Sequence, residues 1–259
     1  INAMEKNILL TIAYDGSVFH GWQRQPDKVT VQGYLEKVMS ELFKTGIVLN
    51  GTSRTDAGVH ALGQRASFKS DINIPEEKIA MVINNALCGR EKGSFAISPV
   101  RIIEAEEKPL CFHARFDCRG KKYIYRIKNS KDIDIFSRNY LYHLPEPLDV
   151  EAMKEAASCI EGTHDFKCFE ASGSNPRETT VRTIYSLEIC RRDESIVEIH
   201  VKGDGFLYNM VRIITGTLAD IGTGKIDKEK MKYIIDSKDR KEAGHTAPPY
   251  GLYLSEVYY

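Results

Sequence analysis

The sequence predicts an α+β protein built on a mainly antiparallel sheet. Strand-like and helix-like segments are interspersed through both halves, and strand runs joined by short turns outnumber strand–helix–strand crossovers. At 259 residues the chain has room for one large domain or two modest ones around a substantial core. The pattern divides into an N-terminal half over residues 4–107 and a C-terminal half over 108–259, with residues 1–3 read as an added remnant ahead of Met4.

The elements follow in order. NILLTIAYDG is rich in aliphatic residues and ends at Asp15-Gly16, so it reads as a strand. A polar and aromatic loop, SVFHGWQRQPDK, precedes Thr30, which suits the N-cap of VQGYLEKVMSELF; Val31, Leu35, Val38, Met39 and Leu42 share one face of that helix. A short strand is expected at 47–49 and another at 64–69. Pro75 starts the helix PEEKIAMVINNAL, and FAISPVRIIEAEE closes the half as a strand. In the second half KKYIYRIK alternates, with Tyr123, Tyr125 and Ile127 on one face. Asp149 caps VEAMKEAASCIE, which is expected to end at Gly162, and ASGSNPRETT is a loop. VRTIYSLEIC and SIVEIHVKG form a hairpin across RRDE. Helical spacing through FLYNMVRIITGTLADIG, a shorter helix DKEKMKYIIDS and the strand LYLSEVYY complete the chain.

Lys plus Arg and Asp plus Glu both number 36, so the formal charge is zero, which still permits a basic cleft balanced by acidic faces. The six cysteines include no CxxC pair and read as reduced thiols. Cys111, His113 and Cys118 lie close in CFHARFDC, but no second ligand pair follows at matching spacing, so no metal is expected. GDG at 203–205 lacks the lysine of a phosphate loop and reads as a turn. No run approaches a membrane span and the start has no signal-peptide pattern, so no membrane partner and a cytoplasmic location are expected.

TSRTDAGVHA, residues 52–61, holds the first candidate for chemistry, Asp56. An Asp in a loop is ordinarily a turn former whose side chain binds nearby amides. Against that, Arg54 stands two residues from Asp56 and favours its ionised form. Ala57 and Gly58 leave room for a bulky partner to approach. A lone ionised carboxylate among small residues suits a nucleophile or general base. Glycosidase chemistry would need a second acid, and none is apparent. His60 is expected to orient the loop.

SRTDAGVHA, with YDGSVFHGWQRQP upstream, resembles the tRNA pseudouridine synthase A family. FHARFDCRGKKYIYRI, GDGFLYNMVRIITGTL and HTAPPYGLYL resemble family segments as well, in family order from Met4 to Tyr259. Ser53 departs from the pattern, since many members have Gly before the Arg. The resemblance implies a pseudouridine synthase fold: two α/β halves, a central mainly antiparallel sheet and a cleft between the halves. The Asp loop belongs to the first half, the Tyr and Arg of the site to the second. It implies isomerisation of uridine to pseudouridine in the anticodon stem-loop of tRNA, at positions 38, 39 and/or 40, by a homodimer. By the same carry-over Asp56 is the catalytic aspartate, Tyr123 stacks on the target base, Arg212 pairs with Asp56, and Arg54 guides the flipped nucleotide.

This chemistry involves no redox step and no external energy source, so no cofactor is expected. The uridine must leave its stack to react, and phosphate contacts along the stem offset that cost. Arg24, Arg119, Lys121 and Lys122 are the candidates for those contacts; the last three read equally well as solvated turn charges. Trp22 and Phe19 either meet RNA or pack beneath the loop, and packing is the expectation. The rival readings are an RNA chaperone that has lost catalysis and an unrelated aspartate hydrolase; the former is disfavoured by the joint presence of Asp56, Tyr123 and Arg212.

Overall fold

The run KNILLTIAY forms β1, Lys6–Tyr14, in the computed structural model, which describes residues 4–89, 97–173 and 178–259. Residues 1–3, the start of FAISPV and the middle of ASGSNPRETT lie outside the described residues. The chain divides into one unit of Ile1–Arg119 with Leu254–Tyr259, and a second of Gly120–Tyr253.

In the first unit β1 is central. It pairs antiparallel with β3, His60–Ser70, and on its other side with β4, Val100–Lys108. Asn7, Ile8, Leu9 and Leu10 are all buried in succession, because the strand is covered on both faces. A two-residue strand β2, Asn50–Gly51, pairs with β3; the sequence had placed it at 47–49. Helix α1, Val31–Phe43, begins where the Thr30 hydroxyl accepts the Gly33 N–H at 3.3 Å, and buries Val31, Leu35 and Met39. Helix α2, Glu76–Leu87, starts after Pro75 with Glu76 and Glu77 in its first turn, where the helix dipole favours acids. It is tied to β4 by Asn84, whose amide both donates to and accepts from Ile102, each at 2.8 Å. The last strand of the chain, which runs Leu252–Tyr258, lies beside β3.

The second unit is built on β5, Gly120–Asn129. Alongside it runs a parallel three-residue strand, β6, Tyr142–Leu144, which the sequence reading missed. Helix α3, Val150–Ala157, has its Asp149 cap as expected, the carboxylate accepting the Ala152 N–H at 3.0 Å, but it stops short of Gly162. Gly162 instead opens β7, Gly162–Asp165, at φ +100°, a conformation that glycine adopts without strain. β8, Val181–Arg191, and β9, Ile196–Gly203, form the expected hairpin, giving the order β5-β9-β8-β7. Helix α4, Met210–Gly222, is buried on nearly every side, and α5, Lys230–Ser237, precedes β10, the strand Leu252–Tyr258 already placed. The fold is α+β, with mainly antiparallel pairing and five helices among the described residues. No helix among them is long and apolar enough to cross a membrane.

Candidate active site

The stretch 52–60 is a loop of the first unit that runs into β3 at His60, and its residues divide sharply by exposure. Thr52, Ser53, Thr55, Val59 and His60 are buried, whereas Arg54 and Ala57 are exposed and Asp56 is half-buried. The buried set is held from several directions. Gln64, wholly buried on β3, accepts the Ser53 N–H at 3.2 Å and donates to the Ser53 carbonyl at 2.8 Å. The Tyr14 hydroxyl meets Thr55 Oγ1 at 2.7 Å, and the Trp22 N–H donates to the Thr55 carbonyl at 3.0 Å. Thr52 Oγ1 lies 2.8 Å from the hydroxyl of Tyr259, which also donates to the Ala114 carbonyl at 2.9 Å. Asp56 opens a tight turn: its carbonyl accepts the Val59 N–H at 3.1 Å, and Gly58 sits at φ +82°, as the third position of a type II turn requires.

Two glycines let neighbouring backbone come this close. A Cβ on Gly16 would stand 2.0 Å from the Val59 carbonyl oxygen, and one on Gly21, at φ +87°, would stand 2.7 Å from that of Thr55. Trp22 is buried with its indole against Gly51, and Phe19 is buried with its ring 5.9 Å from that of Tyr34, so both are packed, as expected. His60 Nδ1 accepts the Gly16 N–H at 3.0 Å and is 3.4 Å from Asp15. These contacts set the His60 ring against the Asp15-Gly16 turn. The braces Gln64, Tyr14 and Gly21 escaped the sequence reading; the YDG and HGW runs beside the loop were the only hint of them.

Tyr123, Lys121, Lys122 and Arg212 belong to the second unit. Tyr123 and Tyr125 share a face of β5 and both are buried. Tyr125 is fully buried and donates to the Pro248 carbonyl at 2.6 Å; burial pushes its hydroxyl well above the ordinary pKa, against the opposing charge of Arg212. Tyr125 is therefore core. The Tyr123 ring meets Phe206 edge-on, centroids 5.1 Å apart. Arg212 is half-buried in the first turn of α4. Its Nε donates to the Ala247 carbonyl and its Nη1 to Asn209 Oδ1, both at 2.8 Å. Asn209 lies at φ +60°, a left-handed conformation that Asn tolerates better than most residues.

Among the basic candidates, Arg24 pairs with the buried Glu36 at 2.8 Å while most of its side chain stays in solvent. Glu36 is further satisfied by the Leu49 N–H at 2.9 Å and by Gln32 at 3.1 Å. Arg119 is exposed and its N–H is bonded to Tyr258; Lys121 and Lys122 are half-buried at the start of β5. His113 Nδ1 accepts the Arg115 N–H at 3.1 Å, a local turn contact. Cys190, Glu198 and His200 form the one metal-sized cluster among the described residues. Glu198 there is already bound by Arg126 at 2.9 Å, Arg192 at 3.0 Å and His200 at 3.0 Å. Two guanidiniums on one carboxylate leave it little attraction for a cation.

Comparison with known proteins shows the family. The family model described as tRNA pseudouridine synthase matches residues 10–117 and 156–259. A tRNA pseudouridine synthase A 2 of Clostridium tetani is 46% identical over 99% of this chain and 100% of its own length. The tRNA pseudouridine synthase A of Thermoanaerobacter sp. (strain X514) is 43% identical, and that of Acetivibrio thermocellus 44%, each over 98% of this chain and 100% of the relative. With both halves of the sequence matched and the Asp56 loop inside the matched region, the chain belongs to the tRNA pseudouridine synthase family.

Proposed function

We propose that the protein is an isomerase that converts uridine to pseudouridine in tRNA, at one or more of positions 38, 39 and 40 of the anticodon stem-loop. The observation that carries the reading is the Asp56 loop. Five buried residues anchor it, Thr55 among them, while Arg54 and Ala57 are exposed and Asp56 itself is half-buried. A side chain on so fixed a support keeps its geometry when a substrate arrives.

The reaction breaks the N1–C1′ bond, turns the uracil and joins C5 to C1′. C5 then loses a proton and N1 gains one, so atoms balance without a co-reactant. Asp56 begins it, either by adding to the nucleotide or by removing the C2′ proton. In this reading Arg212 keeps the carboxylate ionised, Arg54 steers the flipped nucleotide, and the Tyr123 ring holds the detached base. Flipping costs a few kcal/mol, offset by phosphate contacts from Arg24, Arg119, Lys121 and Lys122. The protein acts in the cytoplasm as a homodimer, with the tRNA reaching across both copies.

The test is to incubate purified protein with unmodified tRNA, add no cofactor, and map pseudouridine along the RNA. Pseudouridine confined to positions 38–40 is expected. Its absence, or its appearance only elsewhere, overturns the assignment.

A further inference from the structure

A glycine in the middle of a buried helix weakens it, and α4 has one at Gly216. The reason lies in the chain that crosses it: a Cβ on Gly216 would stand 1.8 Å from the His245 carbonyl oxygen. Gly244 is pressed close as well, since its Cβ would stand 2.6 Å from Asp220 Oδ2 and 2.7 Å from Thr217 Cα. Segment 243–248 is thus laid directly on the helix that carries Arg212.

The segment is pinned at almost every residue. Arg240 Nη1 donates to the Gly244 carbonyl at 2.9 Å, and its Nη2 to Thr246 Oγ1 at 3.0 Å. The Gly244 N–H donates to Thr217 Oγ1 at 2.9 Å. Asp220 Oδ2 takes both the His245 N–H at 3.2 Å and Nδ1 at 3.0 Å. A carboxylate only accepts, so Nδ1 carries the proton and Nε2 is free to accept from the Tyr142 hydroxyl 3.1 Å away. The Pro248 carbonyl is held by Tyr125. At the centre Ala247 exchanges two bonds with Arg212: its N–H donates to the Arg212 carbonyl at 3.0 Å, and its carbonyl accepts from Nε at 2.8 Å.

We propose that segment 243–248 is a template that sets the Arg212 guanidinium for reaction, and that Asp220, His245 and Arg240 are positioning residues acting through it. The inference rests on the reading of Arg212 given above. None of the three meets the substrate; together they hold residues 244–246, the chain that leads into the Ala247 carbonyl that aims Nε.

The experiment measures kcat and the KM for tRNA of Asp220→Ala, Arg240→Ala, His245→Phe and His245→Asn, in the natural and Arg212→Ala backgrounds, with melting curves to show that each variant folds. Asp220→Ala, Arg240→Ala and His245→Phe are expected to lower kcat about tenfold or more with KM unchanged, as misplacement of a reacting group does. His245→Asn, whose amide can stand where Nδ1 stands, is expected to recover most of the rate. In the Arg212→Ala background none should lower kcat further, because residues acting through one group are not additive. Unchanged kcat in the single variants, or full additivity with Arg212→Ala, overturns the template. Unchanged kcat in Arg212→Ala alone overturns the reading of Arg212, and the template with it.

Discussion

Gln64 grips Ser53 by both ends of its backbone, accepting from its N–H at 3.2 Å and donating to its carbonyl at 2.8 Å. A strand side chain thereby replaces the pairing that Ser53 gives up by leaving the sheet, and it does so three residues from Asp56. Gln64→Leu strands both groups in the interior at about 1–3 kcal/mol each. A lower melting temperature and a fall in single-turnover rate larger than the fall in tRNA affinity are expected. A variant with an undiminished rate would show that the loop needs no such brace.

Gly21 admits no side chain, at φ +87° and with the Thr55 carbonyl 2.7 Å from where a Cβ would be. Gly21→Ala is expected to cost about 1–2 kcal/mol from the left-handed backbone alone. Displacement of the Thr55 carbonyl should slow pseudouridine formation further. Denaturant unfolding and initial rates measure the two effects separately.

Ser53 carries the opposite expectation. Its Oγ is buried with no hydrogen-bond partner among the described residues. Ser53→Ala removes an unsatisfied hydroxyl and is expected to raise stability by about 1 kcal/mol, read as a higher denaturant midpoint, with activity kept. A lower midpoint would mean that the hydroxyl has a role in the loop.

Glu198 makes stability depend on pH. Burial works to raise its pKa, but the hydrogen bonds from His200 and Arg126 and the charges of Arg126 and Arg192 outweigh it and hold the carboxyl below its ordinary 4.5. A lowered folded pKa stabilises fully above the unfolded value, and that stabilisation is lost as pH falls through the folded one. The melting temperature of the natural protein should therefore drop more steeply than that of Glu198→Gln between about pH 5 and pH 3. Parallel curves would remove Glu198 from the account.

Local pattern made much of this legible. The α1 boundaries, the Asp149 cap and the β8–β9 hairpin follow from periodicity and capping chemistry that act within a few residues. What escaped depends on distant partners. β6 is three residues long and forms only because β5 offers it an edge, and β7, paired with β8, begins at Gly162, which had been read only as the end of α3. At the site Asp56 stood out by its small neighbours, while Gln64, Tyr14 and Gly21 brace it from 8 to 42 positions away, beyond any spacing rule. Tyr123 and Tyr125 looked alike on their strand and both are buried; the bond to the Pro248 carbonyl, 123 residues away, identifies Tyr125 as core.

The central claim is that Asp56 starts the isomerisation, and Asp56→Asn tests it most directly. The Asn variant keeps the size of the side chain and the turn beneath it, so tRNA binding is expected to persist. Pseudouridine formation on the same tRNA should fall by about 10²–10⁴-fold, the scale of losing a positioned acid–base group, or by more if the carboxylate is a nucleophile. Pseudouridine appearing at the natural rate with Asn at position 56 would contradict the account.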